Sequence, residues 1–235
     1  MIKIKMAGLT VMIDNKYQYL EALTTDFLTD DEPDFSVAVT DAEIEAARSA
    51  HAPNMSHGYA ESIAVYAKIA EFLPKYDAYL IHGVAFSANG GAHVVTAAPG
   101  VGKTTHVRLW KNEFPDVDII NGDKPILRFF GGEPYICATP WRGKEGLGNK
   151  SITKLSSAIF LSRAEGNSIT ELSASEMADI FLKSVYIPKK IDMMAKLLEL
   201  VDKTLSSIRT FALSCNMEPQ AAHVARAAVI GDKNG

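Results

Sequence analysis

Apolar and polar side chains alternate at the start of the chain, Ile2-Lys3-Ile4-Lys5-Met6, and the period returns through Val11 and Ile13. Residues 2 to 13 therefore predict one or two half-buried strands. Tyr17 to Leu28 carries helical spacing, Phe35 to Thr40 a strand pattern, and Asp41 to Ala50 a helix capped by Thr40 or Asp41. From His51 to His57 the pattern breaks at Pro53 and Asn54. Apolar positions at Ile63, Tyr66, Ala67 and Ala70 then predict an amphipathic helix from Glu61 to Phe72, ended by Pro74. A boundary near 51–57 is open, and residues 1–77 read as an N-terminal α/β segment packed on a core of residues 78–230, with 231–235 a frayed tail.

The apolar runs Tyr79 to Phe86 and Ala92 to Thr96 flank Asn89-Gly90, two residues that tolerate positive φ, so they predict a hairpin. The strand ending at Thr96 is then antiparallel to its predecessor, which predicts a mixed sheet. Val117 to Ile120 is a further strand, and Ile126 to Phe130 and Pro134 to Thr139 form a hairpin through Gly131-Gly132. The last third offers a strand at Ile159 to Leu161, helices at Ser175 to Val185 and Ile187 to Ser206, a strand at Thr210 to Leu213 and a helix at Glu218 to Ile230. The class is α/β, a mixed sheet with flanking helices.

Chemistry concentrates where the strand ending at Thr96 meets the helix predicted from Thr105 to Phe114. The segment Ala97-Ala98-Pro99-Gly100-Val101-Gly102-Lys103-Thr104 has the strand, Gly-rich turn, Lys-Thr and helix of a phosphate-binding loop, with Ala97 where the first Gly of the usual spacing stands. Small residues let backbone N–H groups curl around phosphate oxygens, and the helix N-terminus adds positive potential. Lys103 reaches the β/γ-phosphates and Thr104 offers a hydroxyl to Mg²⁺. Pro99, Gly100, Val101, Gly102, Lys103, Thr104 and Thr105 are the candidate ligand residues, and ATP with Mg²⁺ is the implied ligand. The alternative is a plain strand-to-helix turn. Asp123 follows the apolar strand Val117 to Ile120 and suits magnesium coordination or acceptance of a proton from an acceptor hydroxyl, against the alternative of a turn aspartate. His82 lies on the strand beside the loop-feeding one, as a γ-phosphate neighbour or a core histidine. Trp141 to Lys150, with three glycines and the cations Arg142, Lys144 and Lys150, reads as a mobile element closing over an anion or as a solvated turn.

Bulk properties narrow the rest. At 235 residues and 47% hydrophobic, the chain buries one domain, with or without a small appendage. The net charge of −4 splits into −6 over the first fifty residues and +2 over the remainder, which suits phosphate handling and lacks the basic stripe of a nucleic-acid binder. Cys137 and Cys215 have no C-x-x-C spacing, and no charged-then-apolar leader precedes them, so a cytoplasmic protein with reduced, buried thiols is expected. No apolar run reaches the ~18 residues of a membrane span. His51 and His57 lack neighbouring ligands and read as loop residues.

Ile81-His82-Gly83-Val84, one hairpin ahead of Pro99-Gly100-Val101-Gly102-Lys103-Thr104-Thr105, then Ile120-Asn121-Gly122-Asp123 and the Arg142-Gly143 to Gly146-Leu147-Gly148 loop, resemble HPr kinase/phosphorylase and its carboxykinase relatives over roughly residues 78–217. The chain is most similar to the small kinase-like branch. That resemblance implies a mixed-sheet P-loop fold and an ATP-dependent kinase moving a γ-phosphoryl to a Ser/Thr hydroxyl of a small protein or peptide. It implies His82 beside the transferred phosphate, Lys103 and Thr104 on phosphate and magnesium, Asp123 as the second of a paired acidic motif, and Arg142 meeting the acceptor. The family commonly shows Asp-Asp where this chain has Gly122-Asp123, so one carboxylate does the work of two, or Glu145 or Glu133 assists. The rival expectation is an ATP-binding switch or assembly module without an acceptor, and a homo-oligomer is left open.

Overall fold

A computed structural model describes residues 1–51 and 54–231, for His51 the backbone alone. The expected chain break at Pro53 and the expected fraying of residues 232–235 lie outside the described residues, as does the His51 side chain.

Strand β1 (Ile2–Met6) turns into β2 (Leu9–Asp14) through Ala7-Gly8, both at positive φ. Helix α1 (Gln18–Thr24) continues as a short 3-10 turn, Thr25–Phe27, and β3 (Phe35–Ala38) returns parallel to β2, completing a three-stranded sheet. Helix α2 (Asp41–His51) starts from a reciprocal cap in which Thr40 and Glu43 bond each other's backbone amides. Helix α3 (His57–Phe72) starts four residues earlier than its apolar spacing predicts, because the Ser56 hydroxyl accepts from the Tyr59 amide. The His57 ring sits 2.9 Å from Glu45.

The run expected as one strand is two. Strand β4 (Ala78–Leu80) pairs with the later β8 (Ile126–Phe130), whereas β5 (Val84–Ala88) pairs with β6 (Gly91–Thr96) and β7 (Asp118–Asn121). Between them Ile81-His82-Gly83 carries the chain from one part of the sheet to the other. A Cβ on Gly83 would lie 2.9 Å from the Val95 carbonyl oxygen, so the crossing is as close as glycine allows. Asn89 and Gly90 have φ of 51° and 79°, and the hairpin they make is antiparallel as expected. Helix α4 (Lys103–Glu113) joins β6 to β7, and β8 pairs with β9 (Glu133–Cys137).

The element hidden from periodicity is β10 (Ile152–Arg163), a 12-residue strand of which only Ile159 to Leu161 stood out. It pairs antiparallel with β9 at its start, then parallel with β6 on one edge and with β12 (Arg209–Cys215) on the other. Strand β11 (Ser168–Leu172), with no buried residue and no sequence signal, hydrogen-bonds antiparallel to β12. Together these make a mixed, curled nine-stranded sheet, completed by helices α5 (Ala174–Leu182), α6 (Ile191–Ser207) and α7 (Gln220–Ile230). No helix among the described residues is long and apolar enough to cross a membrane.

Both faces of the central strands are covered. On β5, Ala85 joins a core with α3, α5, α6 and the small sheet, while Val84 and Phe86 join a second core with Trp110 of α4 and Ala221 and Ala225 of α7. That explains why these strands read as nearly continuous apolar runs. Cys137 and Cys215 are buried and unpaired with each other.

Two buried histidines sit in this core. The His93 Nδ1 lies 2.8 Å from the Ser157 hydroxyl and its Nε2 3.4 Å from the Ala88 carbonyl, so Nε2 carries the proton. The Trp110 indole donates to His106 Nε2 at 3.0 Å, which leaves the proton on Nδ1. Burial lowers both to about 4. Folded values below the unfolded ~6.5 mean that the unfolded chain binds more protons between pH 6.5 and 4, so stability is lost as pH falls through that window. We expect each histidine to contribute a loss of up to about 3 kcal/mol by pH 4. Urea melts at pH 7.5 and 4.5, with imidazole titration by NMR, check this; rings that titrate near 6.5 would contradict it.

Candidate functional site

Past Thr96 the chain turns through Ala97 to Gly102 and enters α4 at Lys103. Gly100 and Gly102 have φ of 76° and 116°, where L side chains are strained, which is the physical reason for glycine at both. No side chain caps α4, so the first-turn amides that a helix leaves unpaired are available to a ligand. Lys103 arches back over the turn and donates from Nζ to the Ala97 carbonyl at 3.1 Å. Burial pushes the Lys103 ammonium below its ordinary pKa, the Asp123 carboxylate pulls it back up, and the Lys124 cation adds to the depression. The three side chains thus lie within one another's field. Thr104 is half-buried, and its hydroxyl has no hydrogen bond to the described residues.

The opposing wall is the corner after β7. Asn121 is fully buried, and its Oδ1 accepts from the amides of Asp123 and Lys124 at 3.0 and 2.8 Å. Its Nδ2 donates to the carbonyl and hydroxyl of Thr139 at 3.0 and 3.1 Å, and the Thr139 hydroxyl donates to the Lys124 carbonyl at 2.7 Å. The corner also receives β4–β5: the Ile81 amide donates to Pro125 and the Gly83 amide to the Asp123 carbonyl, both at 3.0 Å. His82 is thereby set across from Asp123, with Nε2 3.2 Å from Oδ1. Lys124 Nζ lies 3.3 Å from the same oxygen and stacks its charge over the Tyr66 ring of α3. Burial raises the Asp123 pKa, but hydrogen bonds and charge from His82 and Lys124 outweigh it and hold the carboxyl below its usual value. Partial burial, with the Asp123 carboxylate adding to it, pushes the Tyr66 phenol up to about 12.

His82, Lys103 and Asp123 are therefore brought together, with Lys124 and Tyr66 as members that strand patterning did not single out. Arg142 is not turned into this cluster. Its Nη1 lies 3.1 Å from Asp26, its Nη2 donates to the Asn149 carbonyl at 3.2 Å, and its guanidinium covers the Phe27 ring. Trp141, at the start of the loop read as a mobile element or a solvated turn, is buried: its indole donates to the Ser62 carbonyl at 3.1 Å and its ring meets Tyr66 edge-on. The loop from Trp141 to Lys150 is folded back on β7, with the Gly122 amide donating to Leu147 at 2.9 Å and Asn149 to Ile120 at 3.1 Å. Glu145 pairs with Arg108 of α4, and Glu133 with Lys154. Neither acid supplies a second carboxylate at the corner. A Cβ on Gly122 would stand 2.7 Å from the Arg142 carbonyl and 3.1 Å from that of Leu147, so the docked loop fills the place where a second acid would project.

A groove of about 740 Å³ lies elsewhere, among Ile63, Ala67, Phe72, Tyr186 and Met193, and contains none of these residues. Its lining mixes apolar side chains with charged ones, of which Lys68 pairs with Glu43 and Glu71 accepts from the Tyr186 hydroxyl and the Lys189 amide.

No family model matches the chain, and no curated protein matches it. Among solved structures, the chain is similar to the HPr(Ser) kinase/phosphatase from Coxiella burnetii at 9% identity and a TM-score of 0.35, over 64% of this chain and 96% of that one. A likeness that weak says nothing of what this chain does, which must come from its own residues.

The crowding at Gly122 is directly testable. Gly122→Ala should cost about 1–3 kcal/mol through forced displacement of the loop backbone. Faster amide exchange at Leu147 and Asn149 should accompany the lower unfolding midpoint. A variant with parental stability and exchange would mean that the loop does not dock here.

Proposed function

We propose that this chain binds Mg·ATP at the turn between β6 and α4 and transfers the γ-phosphoryl to a Ser or Thr hydroxyl of a small protein or peptide. The observation that carries the reading is the left-handed Gly100/Gly102 turn opening into uncapped α4, with Lys103 lying in the field of a half-buried Asp123–His82–Lys124 cluster. A P-loop type of fold is part of this proposal.

The residues present suit the ligand. Two lysines against one carboxylate leave the cluster with a net charge of about +1 when His82 is neutral, which favours a polyanion. Among the described residues, no group of three or more acidic, His or Cys side chains forms a metal site. Thr104 and Asp123 would hold Mg²⁺ together with the phosphates, and the ion would supply neutralisation of their charge. Pro99 to Thr105 would bind phosphate oxygens through backbone amides and Lys103. Asp123, kept ionised by its neighbours, orients the acceptor hydroxyl through Oδ2, because Oδ1 is engaged by His82 and Lys124. A weakly basic carboxylate suffices where positioning and charge stabilisation carry most of the catalysis.

A second reading, an ATP-binding switch or assembly module, is favoured by the engagement of Arg142 with Asp26 and by the single carboxylate at the corner. Consumption of ATP separates the two.

Lys103→Ala should weaken Mg·ATP binding at least tenfold in calorimetry without unfolding the protein, since it removes a half-buried cation and no core volume. Unchanged affinity would remove the phosphate site. Asp123→Asn should lower transfer about a hundredfold, far more than it weakens Mg·ATP binding, because a carboxylate that orients the acceptor or the metal acts chiefly in the transition state. Mass spectrometry of candidate acceptors after incubation with labelled ATP reads the product, and parental turnover by Asp123→Asn would overturn that residue's role.

A further inference from the structure

Strand β10 runs parallel to β6, with Phe160 opposite Thr96, so both strands end on the same edge of the sheet. β6 runs out there into the glycine turn, and β10 ends three residues further on at Arg163. The exposed guanidinium of Arg163 bridges that gap. Its Nε donates to the Val101 carbonyl at 2.9 Å and its Nη2 to the Gly100 carbonyl at 2.7 Å. Nε and Nη2 form one edge of the planar fork, and the two acceptors are consecutive peptide groups.

In a trans peptide the N–H points opposite the C=O. Holding the Gly100 and Val101 carbonyls against Arg163 therefore turns the amides of Val101 and Gly102 to the other side of the turn. Gly100 and Gly102 would otherwise leave these planes loosely set, since glycine populates both signs of φ. Among the described residues, the backbone bond made by these two planes is the 3.3 Å contact from the Val101 amide to the Ala98 carbonyl, at the long end for an N–H···O bond, while the Gly102 carbonyl of the next plane accepts from the His106 amide at 2.9 Å. We infer that Arg163 is a positioning residue for the proposed phosphate site, its fork holding two consecutive glycine-flanked peptide planes in the orientation that presents their amides to an anion. The inference rests on the nucleotide reading above for the identity of that anion. The ordering of the loop by Arg163 stands apart from it.

Arg163→Gln and Arg163→Lys test it, with Mg·ATP as the probe in calorimetry and amide exchange of Val101 and Gly102 measured without nucleotide. Arg163→Gln should speed exchange at these two amides and weaken Mg·ATP binding, both by about tenfold, the size expected for charge-assisted hydrogen bonds. The global unfolding midpoint should stay at the parental value. Arg163→Lys, with a charge but no fork, should recover part of both effects. A merely structural role would instead lower the midpoint and speed exchange across β10 and β12. Unchanged exchange at Val101 and Gly102 in Arg163→Gln overturns the inference whatever the ligand. If Lys103→Ala loses Mg·ATP and Arg163→Gln does not, the Arg163 assignment fails while the phosphate site stands; if neither loses it, the phosphate site fails as well.

Discussion

The buried Asn121 side chain is the constraint on which the candidate site depends. Its amide has two donors and two acceptor positions, and all four are used within the protein. The two backbone amides it accepts from fix which end is oxygen, so the group has one orientation. Through it, the strand end of β7, the Asp123-Lys124 turn and the segment at Thr139 become one unit, and Thr139 closes the unit by bonding the Lys124 carbonyl. An aliphatic side chain in this place would leave the Asp123 amide without its partner, at a cost of roughly 1–3 kcal/mol, and would leave the Lys124 amide only its 3.2 Å bond to the Trp141 carbonyl.

That rigid corner lies where two parts of the sheet meet. The chain crosses from β4 to β5 at His82, held by a 2.6 Å bond from its amide to the Ser184 carbonyl and by the Gly83 amide to Asp123. His82 is therefore placed by backbone bonds on both sides, and its ring meets the Asp123 carboxylate. The N-terminal segment enters the same unit: Ser62 anchors Trp141, Tyr66 shields Lys124, and Asp26 holds Arg142. Burial pushes the Lys103 ammonium down and the Asp123 carboxylate opposes it, while Asp123 itself answers to His82 and Lys124.

Local signals carried the parts of this arrangement that are close in sequence. Asn89-Gly90 set the β5–β6 hairpin by φ preference, and the glycines before Lys103 marked the entry to α4. Helix starts were missed where a cap rather than apolar spacing decides them, by four residues at Ser56 and by one at Ser173, whose hydroxyl and Glu176 form a capping box before α5. What stayed hidden depends on partners distant along the chain. The length of β10 follows from its pairing with β9, β6 and β12, since its first half alternates too little to show a face. Trp141 is buried by α3, 79 residues earlier, and Arg142 is held by Asp26, 116 residues away. Neither Gly122 nor Arg163 carries a local signal, because their roles arise from backbone approaching from elsewhere.

The central claim is that the glycine turn before α4 and the Asn121-held corner are two walls of one anion site. Amide and imidazole NMR during a Mg·ATP titration tests it most directly. The account predicts saturable shifts largest at Gly100 to Thr105, with the His82 ring and the Asp123 and Lys124 amides moving along the same binding curve. Shifts confined to the groove beside Ala67 and Met193, or movement of the turn without the corner, would contradict it.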